Sequence, residues 1–169
     1  MDIKIAPIYW FQLKNVSAFL NLKKQIEREA DHLVVGSGER LDTALHVLVK
    51  MFVTRKRTQT LVAVENNQIV GYISTVYPKF KKLRGNAYIS LAVRSSHRGK
   101  GIGTKLISAS EQHAKTKNIR RIELEVFGKN VRAIELYKRL GYEIEGCRRN
   151  AVEDADGFDD VVFMAKTLV

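Results

Sequence analysis

A second cysteine is missing from this chain: Cys147 stands alone, so no internal disulfide can form, and no further thiol or close histidine pair supplies metal-ligand spacing. Neither a bound metal nor a redox bridge is expected. No stretch approaches the roughly 20 apolar residues that a membrane span requires, and the start, Met1-Asp2-Ile3-Lys4-Ile5, lacks the basic region, long apolar run and cleavage site of a secretory signal. A soluble, cytoplasmic protein without membrane association is the expectation. Internal repeats, low-complexity tracts and linkers are absent too, and 169 residues suit one core, so residues 1–169 are expected to form a single domain. What the chain has in excess is positive charge: 29 Lys and Arg against 18 Asp and Glu, a net of +11. Such an excess favours an anionic partner, and nucleic acid, an acidic protein or a multiply phosphorylated cofactor would each satisfy it. Lys79, Lys81, Lys82 and Arg84 form one basic run that reads as a solvated loop, while Arg94, Arg98 and Lys100 form a second one threaded with glycines. Acid gathers near the end, in Glu153, Asp154, Asp156, Asp159 and Asp160.

Hydrophobic periodicity gives the element order. Ile3 to Tyr9 reads as a first strand and Val16 to Ala30 as an amphipathic helix capped by Asn15 or Ser17, with a second helix from about Leu41 to Val53 after the break at Gly36 and Gly38. The two helices are expected side by side on one side of a sheet. Leu61 to Val64 and Ile69 to Ile73 are β-rich runs around Asn66-Asn67, residues that tolerate the positive φ of a tight hairpin. Tyr88 to Val93 follows as a central strand, apolar on both faces. Ile102 to Lys117 reads as a helix, Ile119 to Phe127 as a strand whose Ile122, Leu124 and Val126 alternate with Glu123 and Glu125, and Val131 to Leu140 as a helix stopped by Gly141. Ile144 and Val161 to Met164 supply a last hairpin around Asp156-Gly157. This order predicts an α/β (α+β) fold with a mixed, mostly antiparallel central sheet and helices on both faces.

Chemistry concentrates where a strand gives way to a helix. In Arg98-Gly99-Lys100-Gly101-Ile102-Gly103 three glycines let the backbone close around a ligand while free N–H groups at a helix start point outward. Thr104 adds a hydroxyl, and Arg98 and Lys100 add charge suited to a diphosphate. The run is neither a P-loop nor the Rossmann fingerprint, whose third glycine falls one residue later. Farther on, Asn130 and Tyr137 lie seven residues apart, two helical turns, so both can line one groove. Taken singly, Tyr137 reads as a core aromatic and Asn130 as a helix cap.

These residues together resemble the GNAT family of N-acetyltransferases. Its R/Q-x-x-G-x-G/A motif matches Arg98 to Gly103 after Leu91-Ala92-Val93, and its second signature matches Asn130, Leu136-Tyr137 and Gly141-Tyr142. The resemblance is strong from Leu61 to Tyr142 and weak over the first sixty residues, where the family varies with substrate. It implies acetyl-CoA as acyl donor and a primary amine as acceptor. It further implies that the strand at Leu91, Ala92 and Val93 splays from its neighbour and offers its backbone to the pantetheine arm, with one N–H polarising the thioester carbonyl. Arg98, Gly99, Lys100, Gly101, Ile102, Gly103 and Thr104 would hold the diphosphate, Asn130 would contact the pantetheine, and Tyr137 would protonate the departing thiolate. Homodimers are common in the family.

An alkyl amine with pKa ~10.4 is only about 0.04% neutral at pH 7, whereas an α-amine near ~8 is about 10% neutral, so the first depends more on a base. Glu125, five residues before Asn130, stands where the base stands in the resembling ribosomal-protein alanine acetyltransferases. The acidic stretch could draw a cationic amine or simply form a solvated turn, and Glu29, His32 and Tyr77 are further candidates for facing the acceptor. A small-molecule amine is the expected acceptor; protein N-termini or lysines form a second enzymatic alternative. The non-enzymatic alternative is a basic RNA-binding module, which no RNP-like, KH-like or helix-turn-helix signature supports.

Overall fold

The computed structural model describes residues 3–8, 13–29, 47, 49, 52–54, 56–154 and 157–168. Strands β1 (Lys4–Pro7), β2 (Thr58–Glu65), β3 (Gln68–Val76), β4 (Asn86–Val93), β5 (Arg121–Phe127), β6 (Glu143–Asp154) and β7 (Gly157–Thr167) form one sheet in the order β1-β2-β3-β4-β5-β7-β6. Every neighbouring pair is antiparallel except β4 and β5. Among the described residues the main helices are α1 (Leu13–Glu29), α2 (Ile102–Thr116) and α3 (Val131–Arg139), and residues 47, 49 and 52–54 are helical as well. Among the described residues no helix is long and apolar enough to cross a membrane.

Alternation along the strands assigns each helix to a face. On β2, Leu61 and Ala63 join Val70, Ile73, Ile89, Ile122 and Leu124 in a core that also takes Ile102, Leu106 and Ile107 of α2 and Tyr137 of α3. The intervening Val62 and Val64 face the opposite way, toward Val16, Phe19 and Leu20 of α1 and the buried Val47. Helices therefore cover both faces, as the order of elements predicts. Most of the predicted second helix lies outside the described residues, but Val47 joins the α1 cluster, on the side expected of it. A hydrogen bond of 2.7 Å between Thr75 and Ser110 satisfies two buried hydroxyls at the contact of α2 with β3.

Local chemistry sets the turns. Asn66 and Asn67 both adopt positive φ (48° and 62°), the two-residue turn whose twist matches that of a hairpin. At the end of α3, Gly141 has φ 85°, Tyr142 N–H donates to the Tyr137 carbonyl (3.0 Å) and Gly141 N–H to that of Lys138 (2.9 Å). This is the Schellman closure, and its accompanying apolar contact is between the rings of Tyr137 and Tyr142, whose centroids lie 5.7 Å apart.

Two local expectations are corrected. Helix α1 is already running at Leu13, so Asn15 and Ser17 stand inside it and not at its start. Strand β4 is central, but it is not apolar on both faces: Tyr88 and Ser90 are exposed beside the buried Ala87 and Ile89. The open face matters for the site.

Candidate active site

The parallel pairing of β4 with β5 is brief. Asn86 faces Arg121, Ala87 faces Ile122 and Tyr88 faces Glu123, and there the ladder stops although β4 runs on to Val93 and β5 to Phe127. Beyond Tyr88 the two strands diverge into a V. Asn86 crosses the closed end to donate to Glu123 (3.1 Å), and on the β5 side Arg121 holds Glu123 in place (2.7 Å) while pairing with Glu145 of β6.

Hydrogen-bond parity shows what β4 presents to the opening. Opposed residues in an antiparallel pair alternate between exchanging hydrogen bonds and turning them outward. Arg94 N–H donates to the Val70 carbonyl on the β3 side (3.0 Å). Ala92, two residues back and opposite Tyr72, is therefore also committed to β3, while Leu91 and Val93 turn their backbone groups toward the V. Of the three strand residues expected to hold the pantetheine, Leu91 and Val93 offer N–H groups and Ala92 does not.

At the mouth of the V the chain makes a short 3-10 turn, Ser95–His97, and then enters the glycine run. Gly99 (φ 81°) and Gly101 (φ 75°) are left-handed, and Gly101 is the N-cap of α2 without any side-chain cap bond. The amides of the first turn are consequently free to meet an anion. Gly103 serves a different purpose: a Cβ there would stand 3.1 Å from Leu136 and 3.5 Å from Leu91, so its absence lets α2, α3 and β4 close together. Arg98, Lys100 and Thr104 are exposed around the turn, whereas the Ile102 side chain is sunk in the core and can contribute only its backbone. Arg98 also donates from Nε to the Val93 carbonyl (3.2 Å), fixing the guanidinium at the mouth.

Two distant carboxylates hold this corner. Glu29, at the end of α1, accepts from the Ser95 amide (3.0 Å) and hydroxyl (2.9 Å), and Glu65 pairs with His97 Nε2 (3.0 Å). The bond from the Ser95 amide, more than any other influence, lowers the pKa of Glu29. The carboxylate of Glu29 is thus occupied by the turn and not directed at an acceptor. Tyr77 is also corrected: it lies at the other end of the sheet, beneath the ammonium of Lys117 at 5.5 Å. His32 lies outside the described residues.

Across the V stands α3. Asn130 caps it, its side chain accepting from Ala133 N–H (3.2 Å), so the cap expected of this residue taken singly is present. Tyr137 is 6% exposed, and burial first, then the nearby Tyr88, pushes its pKa up to about 12. Tyr88 comes to the same place from β4, its own pKa raised by burial and by the Glu125 carboxylate. Glu125 is exposed on the open face of β5, where Arg148 of β6 binds it at 2.9 Å while lying over the Phe163 ring at 4.9 Å. Sequence patterning did not single out Tyr88 or Arg148; an aromatic with a polar tip on the outward phase of the strand leading to the glycines was the available signal. Two residues of the acidic stretch hold backbone in place: Asp159, 5% exposed, accepts from the Lys129 amide beside Asn130 (3.1 Å), and Asp160 accepts from the Asn150 amide of β6 (2.9 Å). Asp156 and the side chain of Asp154 lie outside the description.

Because Tyr137 titrates higher in the fold than the ~10 of an unfolded tyrosine, its contribution to stability is complete below pH ~10 and is lost as pH rises through about 12. Thermal midpoints recorded from pH 8 to 12 should fall in that window, and Tyr137→Phe should make the fall shallower.

A V between two parallel strands, unpaired amides along one arm and a glycine turn capping a helix at its mouth define an architecture for holding an extended, phosphate-bearing acyl carrier. Comparison with known proteins agrees. Residues 24–142 match the acetyltransferase (GNAT) family, and the chain belongs to that family. It is 29% identical over 102 residues to an L-methionine sulfoximine/L-methionine sulfone acetyltransferase of Pseudomonas aeruginosa, covering 60% of this chain and 59% of that one. It is 32% identical over 75 residues to a spermine/spermidine N(1)-acetyltransferase of Bacillus subtilis, covering 42% and 49%. The chain spans about half to three fifths of the length of such curated relatives. In fold it matches a GNAT acetyltransferase of Streptococcus pneumoniae with a TM-score of 0.90 at 22% identity, over 99% of this chain and 100% of that one.

Proposed function

We propose that the protein transfers an acetyl group from acetyl-CoA to the primary amine of a small molecule. The observation that carries this is the convergence, on one V, of the outward Leu91 and Val93 amides, the Gly99 to Gly103 turn and the Tyr137 phenol. The carrier supplies an acetyl thioester; binding and proton handling fall to the chain. The amino end of α2, with Arg98, Lys100 and Thr104, fits a diphosphate, and the two β4 amides fit a polar, extended arm. One of these amides is placed to polarise a carbonyl, an oxyanion-type contribution.

Tyr137 stays neutral at physiological pH and can donate a hydrogen bond to sulfur. With its pKa up to about 12 it would surrender the proton unfavourably to a thiolate whose acid titrates near ~8.5. Its main contribution is therefore a hydrogen bond to charge developing on sulfur. Glu125 takes the role of base toward the ammonium of the acceptor, in reach of bulk water on the open face. Glu125→Gln should lower kcat/KM most at the acidic end of the pH profile, where least amine is neutral; an unchanged profile removes it from the mechanism.

The open face carries both signs, Glu125 and Arg148, around the ring of Phe163. An acceptor bearing an ammonium and a carboxylate suits such a pair better than a polyamine does. The deciding assay adds acetyl-CoA to a panel of methionine sulfoximine, common amino acids, spermidine and a short peptide with a free N-terminus, with thiol release as readout. Preference for the amino-acid group supports the assignment; release with the peptide alone replaces it by protein acetylation, and none with any amine refutes it.

A further inference from the structure

The far end of α2 carries a second concave surface that acetyl transfer does not use. A cavity of about 370 Å³ opens between the C-terminal part of α2 and the stretch of β2 left uncovered where β1 ends, and is lined by Lys56, Thr58, Gln59, Tyr77, His113 and Lys117 among others. An adjoining cavity of about 550 Å³ shares Thr54, Lys56, Thr58 and Tyr77 and adds Arg57 and Lys79. Eleven residues of helix separate His113 from Ile102, so this site stands roughly 16 Å from the amino end of α2.

Its lining is one-sided in charge. Two ammonium groups and an imidazole face it from two segments, Lys56 ahead of β2 and His113 with Lys117 at the end of α2, and the described lining residues include no Asp or Glu. Lys56, Arg57, Lys79 and Lys117 form no ion pair among the described residues. The uncharged lining donates as well. Tyr77 gives its hydroxyl hydrogen to Gln59 Oε1 at 3.5 Å, which leaves the Gln59 Nε2 hydrogens for a ligand. Burial, then Lys117, lowers the pKa of His113, the direction expected of an imidazole held beside uncompensated positive charge.

We propose that this cavity is a binding site for a small phosphorylated molecule, separate from the acetyl-CoA site. Point-charge ammonium groups with hydroxyl and amide donors suit a phosphoryl group, and a volume of about 370 Å³ lies within the range of small-ligand pockets. The inference stands independently of the acetyltransferase assignment, since nothing in it draws on the V between β4 and β5.

The test is a titration of the whole chain with inorganic phosphate in the presence of excess CoA, following the imidazole resonances by NMR, with His113→Gln assigning the His113 signal. Saturable movement of that signal is expected, and Lys56→Ala and Lys117→Ala should each weaken the phosphate midpoint at least about fivefold, while Arg98→Ala leaves it in place. Absence of movement, or equal loss in Arg98→Ala, overturns the site. Equal response to citrate overturns the phosphoryl class. Tighter binding of a short RNA, abolished by Lys81→Ala with Lys82→Ala and insensitive to Lys56→Ala, would replace the small-molecule site by a nucleic-acid surface on the same end of the sheet. Because phosphate is read at His113 without any turnover, loss of acetyl transfer and loss of this site are separate results.

Discussion

Tyr137→Phe should lower turnover on the order of a hundredfold, the usual loss when one donor to developing charge is removed from a dry site, and should leave acetyl-CoA affinity nearly unchanged. The split follows from what each part of the side chain does. The ring is a packing element: it closes on Tyr142 at the Schellman turn and lies within the main core, and phenylalanine keeps it. In the proposed mechanism the hydroxyl alone meets the chemistry, held neutral by burial. Thiol release at saturating amine, set beside calorimetric titration of acetyl-CoA, separates the two. Full turnover in the variant would end the role assigned to the phenol, and a matching loss of affinity would make Tyr137 a packing residue only.

Gly101→Val should leave the fold in place and weaken acetyl-CoA binding about tenfold to a hundredfold, the equivalent of the ~1–3 kcal/mol that a branched residue costs in a left-handed conformation. Space is not the obstacle, since a Cβ at Gly101 meets nothing within 4 Å. The obstacle is its φ of 75° at the N-cap of α2, which a valine escapes by rotating the peptide planes that aim the first-turn amides. Calorimetry with acetyl-CoA measures the loss, and an unchanged circular dichroism spectrum shows that the helix survives. Undiminished affinity would mean that the cradle is made elsewhere.

Local chemistry was legible in the sequence wherever a feature needs only its neighbours. The Asn66-Asn67 turn, the stop at Gly141 and the α2 start at Ile102 are each dictated within a few residues, and the structure has them there. Alternation of Ile122, Leu124 and Val126 with Glu123 and Glu125 likewise placed Glu125 on the open face of β5. Strand β6 was missed over most of its twelve residues because it is an edge strand, largely exposed, so it shows no apolar phase to read. Contacts between remote segments were equally invisible. Glu29 meets Ser95 across 66 positions and Glu65 meets His97 across 32, and nothing in either local pattern marks the partner. The phase of Tyr88 was misjudged for a related reason: a central strand is normally covered on both sides, and this one is bare at Tyr88 and Ser90.

The brevity of the β4–β5 ladder has a mechanical consequence. Three residue pairs near Asn86 and Arg121, with the hydrogen bond from Asn86 to Glu123 beside them, are the direct seam between a half built from β1 to β4 and a half built from β5 to β7. A carrier lying along the opening would act as an extra strut joining the halves, so loading should stiffen both strands of the seam down to its closed end, with slower amide exchange in β4 and β5 as its signature.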